Sequence, residues 1–327
     1  MALRLGQILR GARWNYLLVE DLGNKSSNSS VFKAKILPQA PTPPPGQWAI
    51  VKTASEQNSL DMLKQEHECY QNSAVRSSWH LRALYDAIDV HGPSYCLAFE
   101  WMDCTLKDLS SKAHQQSRVL HKSITKAVLE ALLVLKSQHL VHTDIKNDNI
   151  LISGIDGQCP TVKLGDLGLV RSEGFDNYPV QPLAMRAPEV WSGKGCYHCS
   201  DMWAFAVTLF DWISPCVFGA NDMPQGHWPQ PWAMAKLMRL FPGSITIHPT
   251  DPNYQGYFKI AQLLEKSGLD ENTGPKCFET LSFEEELNKL NISPALAAFF
   301  RYLLVVNPMQ RPKAIEALGS QQFQSLA

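Results

Sequence analysis

Near residue 103 the apolar residues of this chain change their spacing, from short strand-like runs to the three-and-four repeat of helices. A chain with that switch is constrained to fold as two unlike parts, and 327 residues are enough to give each a core. Before the switch, "WNYLLVEDL" (14–22), "SVFKAKIL" (30–37), "WAIVKTA" (48–54) and "YCLAFEWMD" (95–103) carry the β-branched and aromatic residues of strands. "PQAPTPPPG" (38–46) interrupts them, and its five prolines predict an exposed loop. One helix is expected in this half, over 59–72, where Leu60, Leu63, His67 and Tyr70 share a face. After the switch, "SITKAVLEALLVLKSQ" places Ile124, Val128, Leu132 and Leu135 at helical spacing, with Ser123 as the expected cap. Further helices are read in "SDMWAFAVTLFDWI", "PWAMAKLMRLF" and "PALAAFFRYLLVV".

The exception in the helical half is "LVHTDIKNDNIL" (140–151), followed by the short strands "NILIS" and "TVKLG" around Asp156-Gly157, a hairpin signal. Two acids, a lysine and two asparagines thus sit in a loop between a helix and a hairpin. Alone this is a weak motif. Its context is stronger, because other landmarks accompany it in order. Lys52 closes a strand in "AIVK", and Glu66 follows on a helix. Then come Asp144, Lys146 and Asn149, and Asp166 in "GDLG". Ala187, Pro188 and Glu189 follow, then Asp201 and Trp203 in "SDMWAF", and Arg311 in "NPMQRP".

In this ordered set the chain resembles the eukaryotic protein kinases, over essentially its whole length. "GQILRGARW", "HTDIKNDNIL", "MRAPEVWSG" and "AKLMRLFPG" are similar, more narrowly, to filamentous-fungal protein kinases related to the SR-protein kinases. The resemblance implies a bilobal α+β fold, with a β-rich N-lobe over 1–101, a mainly helical C-lobe over 102–327 and ATP in the cleft between them. It implies ATP and Mg²⁺ as cofactors and a protein as substrate. Lys52 would hold the α- and β-phosphates and Glu66, rather than Glu68, would orient it. Asp166 and Asn149 would bind Mg²⁺, Asp144 would accept the hydroxyl proton and Lys146 would neutralise the γ-phosphate. A lysine two residues after the aspartate resembles the Ser/Thr-specific pattern. Gly23 and Val31 would cover the nucleotide. Phe99 would guard the adenine pocket, and the Glu100 carbonyl and Met102 amide would bond the base. Glu189 and Arg311 would form a structural ion pair, and Asp201 would hold the backbone of the catalytic loop.

Two departures stand out. Where the family reads G-x-G-x-x-G-x-V, this chain has "LGNKSSNSSVFKA", with Gly23 alone and serines 26, 27, 29 and 30 in place of the rest. Serine takes positive φ less freely than glycine. At 143 threonine replaces the usual arginine, which reads a phosphate on the activation loop. The segment 166–189 contains no threonine and offers only Ser172 and Tyr178 for phosphorylation, so activity independent of such a phosphate is expected. Pro182 also replaces a threonine common near the catalytic aspartate.

A net charge of −1 gives no reason to expect nucleic acid or an anionic membrane as partner, and no apolar run is long enough to cross a bilayer. The arginines at 4, 10 and 13 are compatible with a transit peptide, but the segment lacks serine and runs into a strand, so a cytoplasmic or nuclear protein is expected. Of eight cysteines only Cys196 and Cys199 lie close together, too few for a zinc site, so the thiols are read as reduced and mostly buried. Two other functions remain open at this point. A pseudokinase scaffold fits the altered glycine loop but gives no chemical reason to keep Lys52, Asp144, Asn149 and Asp166 together. A small-molecule phosphotransferase of related fold would share the aspartate–asparagine loop but not "APE", "SDMW" and Arg311.

Overall fold

The computed structural model describes residues 3–23, 29–39, 43–54, 56–90, 94–157, 159–177, 180–245, 252–267 and 276–326. Serines 26 and 27 of the altered glycine loop and Tyr178 lie outside the described residues. The first part is a six-stranded antiparallel sheet of β1 (Ile8–Arg10), β2 (Asn15–Asp21), β3 (Ser29–Leu37), β4 (Trp48–Ala54), β5 (Leu84–Val90) and β6 (Ser94–Glu100), in the order β1-β2-β3-β4-β6-β5. Alternation along the strands gives the sheet two faces. One buries Trp14, Tyr16, Leu18, Phe32, Ile36 and Val51 in a core of its own. The other turns Ala54, Leu97 and Phe99 toward α1 (Gln57–Gln71) and the large core of the second part.

In α1 the buried positions are Leu63, Glu66 and Tyr70, one stripe of the helix, with Leu60 half-buried beside them. Glu66 is therefore carried inward by the same periodicity that packs the helix, whereas Glu68 is exposed on the opposite side. The remainder of the chain is mainly helical, around a 20-residue helix, Arg118–Ser137. Ile124, Val128, Leu132 and Leu135 are buried as their spacing predicts, but the helix starts earlier than Ser123. Ser117 is the cap, its hydroxyl accepting from the Leu120 amide at 3.3 Å; Ser123 lies inside the helix. The expected hairpin is present, Ile150–Ser153 antiparallel to Thr161–Leu164. "PWAMAKLMRLF" is a core helix, Pro229–Leu240, with Trp232, Met234 and Leu237 buried.

The two parts meet where Arg82 donates its amide to the Leu164 carbonyl at 2.9 Å and Leu164 donates to that of His80 at 2.8 Å. This joins the approach to β5 with the hairpin behind the polar loop. The chain has an α+β, two-lobed architecture, and the polar loop 142–149 follows the strand Leu140–Val141 and leads into this hairpin. No helix among the described residues is long and apolar enough to cross a membrane. Among the described residues no group of three or more His, Cys, Asp or Glu is arranged to hold a metal ion.

His198, at the start of the His198–Ile213 helix, gives the fold a pH dependence. It is buried, and the Ala314 amide donates to its Nε2 at 3.4 Å, which requires that nitrogen to be unprotonated. Burial, with smaller contributions from Lys136 and Lys313, brings its pKa down to about 4. In the unfolded chain the ring protonates near 6.5. The unfolded state therefore binds more protons as pH falls from 6.5 toward 4, and this stabilisation is lost through that window. We expect the urea midpoint to fall across it, by at most roughly 1.4 kcal/mol per pH unit for this one group. His198→Gln should flatten that part of the profile; equal slopes in variant and wild type would contradict the assignment.

Candidate active site

The polar loop follows the strand Leu140–Val141 and is held from behind. Asp201, buried at the start of its helix, accepts the amides of His142 at 2.6 Å and Thr143 at 3.1 Å. The Thr208 hydroxyl, donating to the Ala204 carbonyl at 2.7 Å, also stands 3.3 Å from the Ile145 carbonyl, and the Asn147 amide group donates to Asp211 at 3.0 Å. His142 is buried, and burial lowers its pKa. Its neutral ring accepts the Asp144 amide on Nδ1 and donates from Nε2 to the Gly165 carbonyl at 3.1 Å, tying the loop to the segment that carries Asp166. His142, Thr208 and Asp211 were not singled out from the sequence. A histidine between Val141 and Thr143 and a threonine inside an apolar helix give no distinctive signal before the fold places them.

Thr143 and Asp166 both have positive φ, 62° and 64°. For a β-branched residue this conformation is costly. Two bonds secure Thr143: its amide to Asp201, and its hydroxyl to the Leu169 carbonyl at 2.5 Å. The position where arginine was expected is thus used to pin the start of the 166–189 segment through a neutral contact. That segment is also held where Ser172 and Arg171 pair with Leu140 and Val141, and where Arg186 donates to the Val180 and Gln181 carbonyls.

The site holds two charged clusters. In the first, Lys52 on β4 reaches Glu66 at 2.9 and 3.1 Å and Asp166 at 3.1 Å. Its ammonium stands 5.1 Å from the centre of the Phe99 ring. Glu66 also accepts the Leu167 amide at 3.2 Å, so α1 and the Asp166 turn share one anchor. Burial pushes the Glu66 carboxyl up, and Lys52 pulls it part of the way back. Burial also works against the charge of Asp166, but Lys52 more than offsets it and holds that carboxyl down at about 2. Asp166 is accordingly ionised, with its side chain 46% exposed. In the second cluster, Asp144 Oδ2 accepts from Lys146 at 2.8 Å and from Asn149 at 2.9 Å. Asn149 spends Nδ2 on both the carboxylate and the carbonyl of Asp144, so its amide oxygen is not the atom that makes these bonds.

The remaining expected residues line the sheet side. Val31, buried, lies opposite Lys52 in the β3–β4 register. Gly23 has φ of +80°, and its amide bonds Asp21 at 2.9 Å, so a glycine is required there. Phe99 is fully buried beside Tyr70, with ring centres 5.8 Å apart. Among the described residues the Met102 amide has no partner, as a donor reserved for a ligand requires. The Glu100 carbonyl, by contrast, already accepts from Arg82 Nε at 2.8 Å, and the Glu100 side chain bonds Lys163 at 2.7 Å. Arg82 was not foreseen: one arginine in "HLRALY" gives no sign that it turns inward. A cavity of about 660 Å³ lies elsewhere, between α1 and residues 170–177, and none of these groups lines it.

Comparison with known proteins agrees with this geometry. The family model described as Protein kinase domain matches residues 46–323. Cyclin-dependent kinase 20 of Homo sapiens is 30% identical over 287 residues, which cover 80% of this chain and 73% of that protein. Cyclin-dependent kinase-like 4 of Mus musculus is 28% identical over 235 residues, covering 70% of this chain and 62% of its own. Dual specificity protein kinase YAK1 of Saccharomyces cerevisiae is 30% identical over 181 residues, 54% of this chain but 21% of that protein.

Proposed function

Since the chain belongs to the protein kinase family, we propose that it transfers the γ-phosphoryl group of ATP to serine and threonine hydroxyls of a protein substrate, with Mg²⁺ as cofactor. The observation that carries this reading is the simultaneous assembly of both clusters: Lys52 paired with Glu66 and Asp166, and Asp144 paired with Lys146 and Asn149. A scaffold has no use for both at once. We place the N-lobe at 1–101 and the C-lobe at 102–327, with Gly23 over the phosphates and Val31, Phe99, Glu100 and Met102 around the base.

The ionised Asp166 and the amide oxygen of Asn149 are hard oxygen donors, and two such ligands completed by substrate phosphates suit Mg²⁺. When bound, the ion neutralises charge on the phosphates. Lys52, oriented by Glu66, binds the α- and β-phosphates. Asp144 positions the substrate hydroxyl and takes its proton as the oxygen bonds to the γ-phosphorus. The bond from that phosphorus to the bridging oxygen breaks, and ADP leaves with the electron pair. Lys146 stabilises charge on the transferring group. Its place two residues after Asp144 supports serine and threonine as acceptors. The four segments quoted above support kinship with fungal kinases related to SR-protein kinases.

Binding tests the nucleotide reading. ATP with Mg²⁺ should raise the melting temperature of the wild type, and Asp166→Asn should remove the part that depends on Mg²⁺. No shift with ATP at millimolar concentration would overturn it. Thr143 supports a further element, activity that needs no activation-segment phosphate. Phosphatase treatment should leave activity unchanged; a loss traced to Ser172 or Tyr178 would refute this.

A further inference from the structure

Arg82 is nine-tenths buried, with 9% of its surface exposed, in the wall of the cleft. Its Nε donates to the Glu100 carbonyl at 2.8 Å. Its guanidinium carbon lies 5.6 Å from the centre of the Phe99 ring. Its Cδ sits 3.7 Å from where a β-carbon on Gly165 would stand, one residue before Asp166. The arginine is fixed from behind, its amide on the Leu164 carbonyl and its own carbonyl accepting the Tyr70 hydroxyl at 2.5 Å. The guanidinium therefore lies beside Phe99 and the Glu100 carbonyl, two of the groups proposed above to surround a purine. Among the described residues its two terminal NH₂ groups have no hydrogen-bond acceptor. Neither nitrogen is among the fully buried side-chain atoms left without a partner, so both are accessible and can be met by the acceptors of a ligand.

The donors and acceptors of the two purines decide which ligand fits. Adenine presents an acceptor at N7 and a donating amino group at N6. Guanine presents acceptors at both N7 and O6, the edge that an arginine fork bonds twice. A bare carbonyl at Glu100 would suit the adenine amino group. Here that carbonyl is shared with Arg82, and four guanidinium N–H groups, all donors, stand beside it.

Resting on the kinase reading above, we propose that Arg82 sets the base selectivity of this cleft and admits guanine nucleotides as phosphoryl donors alongside ATP. With GTP the same bonds are made and broken: the hydroxyl oxygen bonds to the γ-phosphorus, its proton passes to Asp144, and GDP leaves. Arg82 acts on the base and takes no part in that transfer.

The test is calorimetric binding of ADP and GDP, each with Mg²⁺, to the full chain as wild type, Arg82→Leu and Arg82→Lys. The wild type should bind GDP within about tenfold of ADP. Arg82→Leu should weaken GDP relative to ADP by roughly five- to 150-fold, the range of one bidentate arginine–guanine contact. If that variant does not fold, Arg82→Lys decides: it keeps the charge but not the fork, and should weaken GDP in the same direction. Wild-type binding of ADP more than tenfold tighter than GDP overturns the proposal and leaves the kinase reading standing. So does a GDP-to-ADP ratio that neither variant changes. Failure of the wild type to bind either nucleotide overturns the kinase reading and this inference with it. Relative turnover with GTP and ATP, measured on the same proteins, should follow the binding ratio.

Discussion

Asp144→Asn is expected to lower phosphotransfer by about 10²–10⁴-fold, the usual contribution of a positioned general base, with little change in melting temperature or nucleotide affinity. The substitution keeps the shape of the side chain and removes its charge and basicity. Asparagine can still accept at Oδ1 from Lys146 and Asn149, which now bond Asp144 Oδ2 at 2.8 and 2.9 Å. The loop itself is held by Asp201, Asp211 and His142, none of which depends on the Asp144 carboxylate. Turnover should therefore fall while the scaffold stays intact. A variant that turns over within a few-fold of wild type would show that Asp144 is not the base. One that loses turnover and ATP binding together would show that its role is structural.

The largest expected loss of stability comes from Arg311→Met. Arg311 and Glu189 form a two-pronged pair at 2.7 and 3.1 Å, with side chains 0% and 4% exposed. The guanidinium also donates to the carbonyls of Cys199, Val305 and Val306 and packs 5.0 Å from the Trp203 ring centre. Methionine fills much of the space but leaves Glu189 buried with, among the described residues, only the Ser200 hydroxyl, at 2.8 Å, and the weak Cys199 thiol as bonding partners. Removing one partner of a buried pair costs about 3–5 kcal/mol, a large share of the roughly 5–15 kcal/mol that holds a domain folded. The urea midpoint should fall accordingly, and the 180–190 segment should exchange amide hydrogens faster. A loss below about 1 kcal/mol, the range of exposed pairs, would show that the pair is solvated in solution. Arg311→Met combined with Glu189→Leu should recover much of the loss, because the uncompensated charge is then gone.

The groups proposed to meet phosphate or metal were legible in the sequence because that chemistry restricts the residue type. Lys52, Glu66, Asp144, Asn149 and Asp166 stand together in space as their order in the chain implied. The strand runs were legible too, since β3, β4 and the Ile150–Ser153 hairpin follow directly from β-branched and aromatic content. Residues that work by holding others were harder to read. Thr208 sits in an apolar helix and reads as ordinary filling until the Ile145 carbonyl is placed against it. The start of the central helix was misplaced because Ser117 and Ser123 are both competent caps. The core decides between them by burying Leu120 and His121, which lie between the two serines. The short Phe283–Asn288 helix carried a capping box, Ser282 with Glu285, that the sequence reading passed over. Arg82 had no sequence signal at all, because its meaning comes from what lies around it: Glu100, Phe99 and Gly165.

The most direct test of the central claim is transfer of labelled γ-phosphate from ATP, with Mg²⁺, by the wild-type chain to a generic basic protein and to serine, threonine and tyrosine peptide libraries, followed by acid hydrolysis of the product. The account predicts label in phosphoserine and phosphothreonine. Label confined to phosphotyrosine would contradict the acceptor specificity. No label in any acceptor, from a protein that binds ATP with Mg²⁺, would contradict catalysis and leave a nucleotide-binding scaffold.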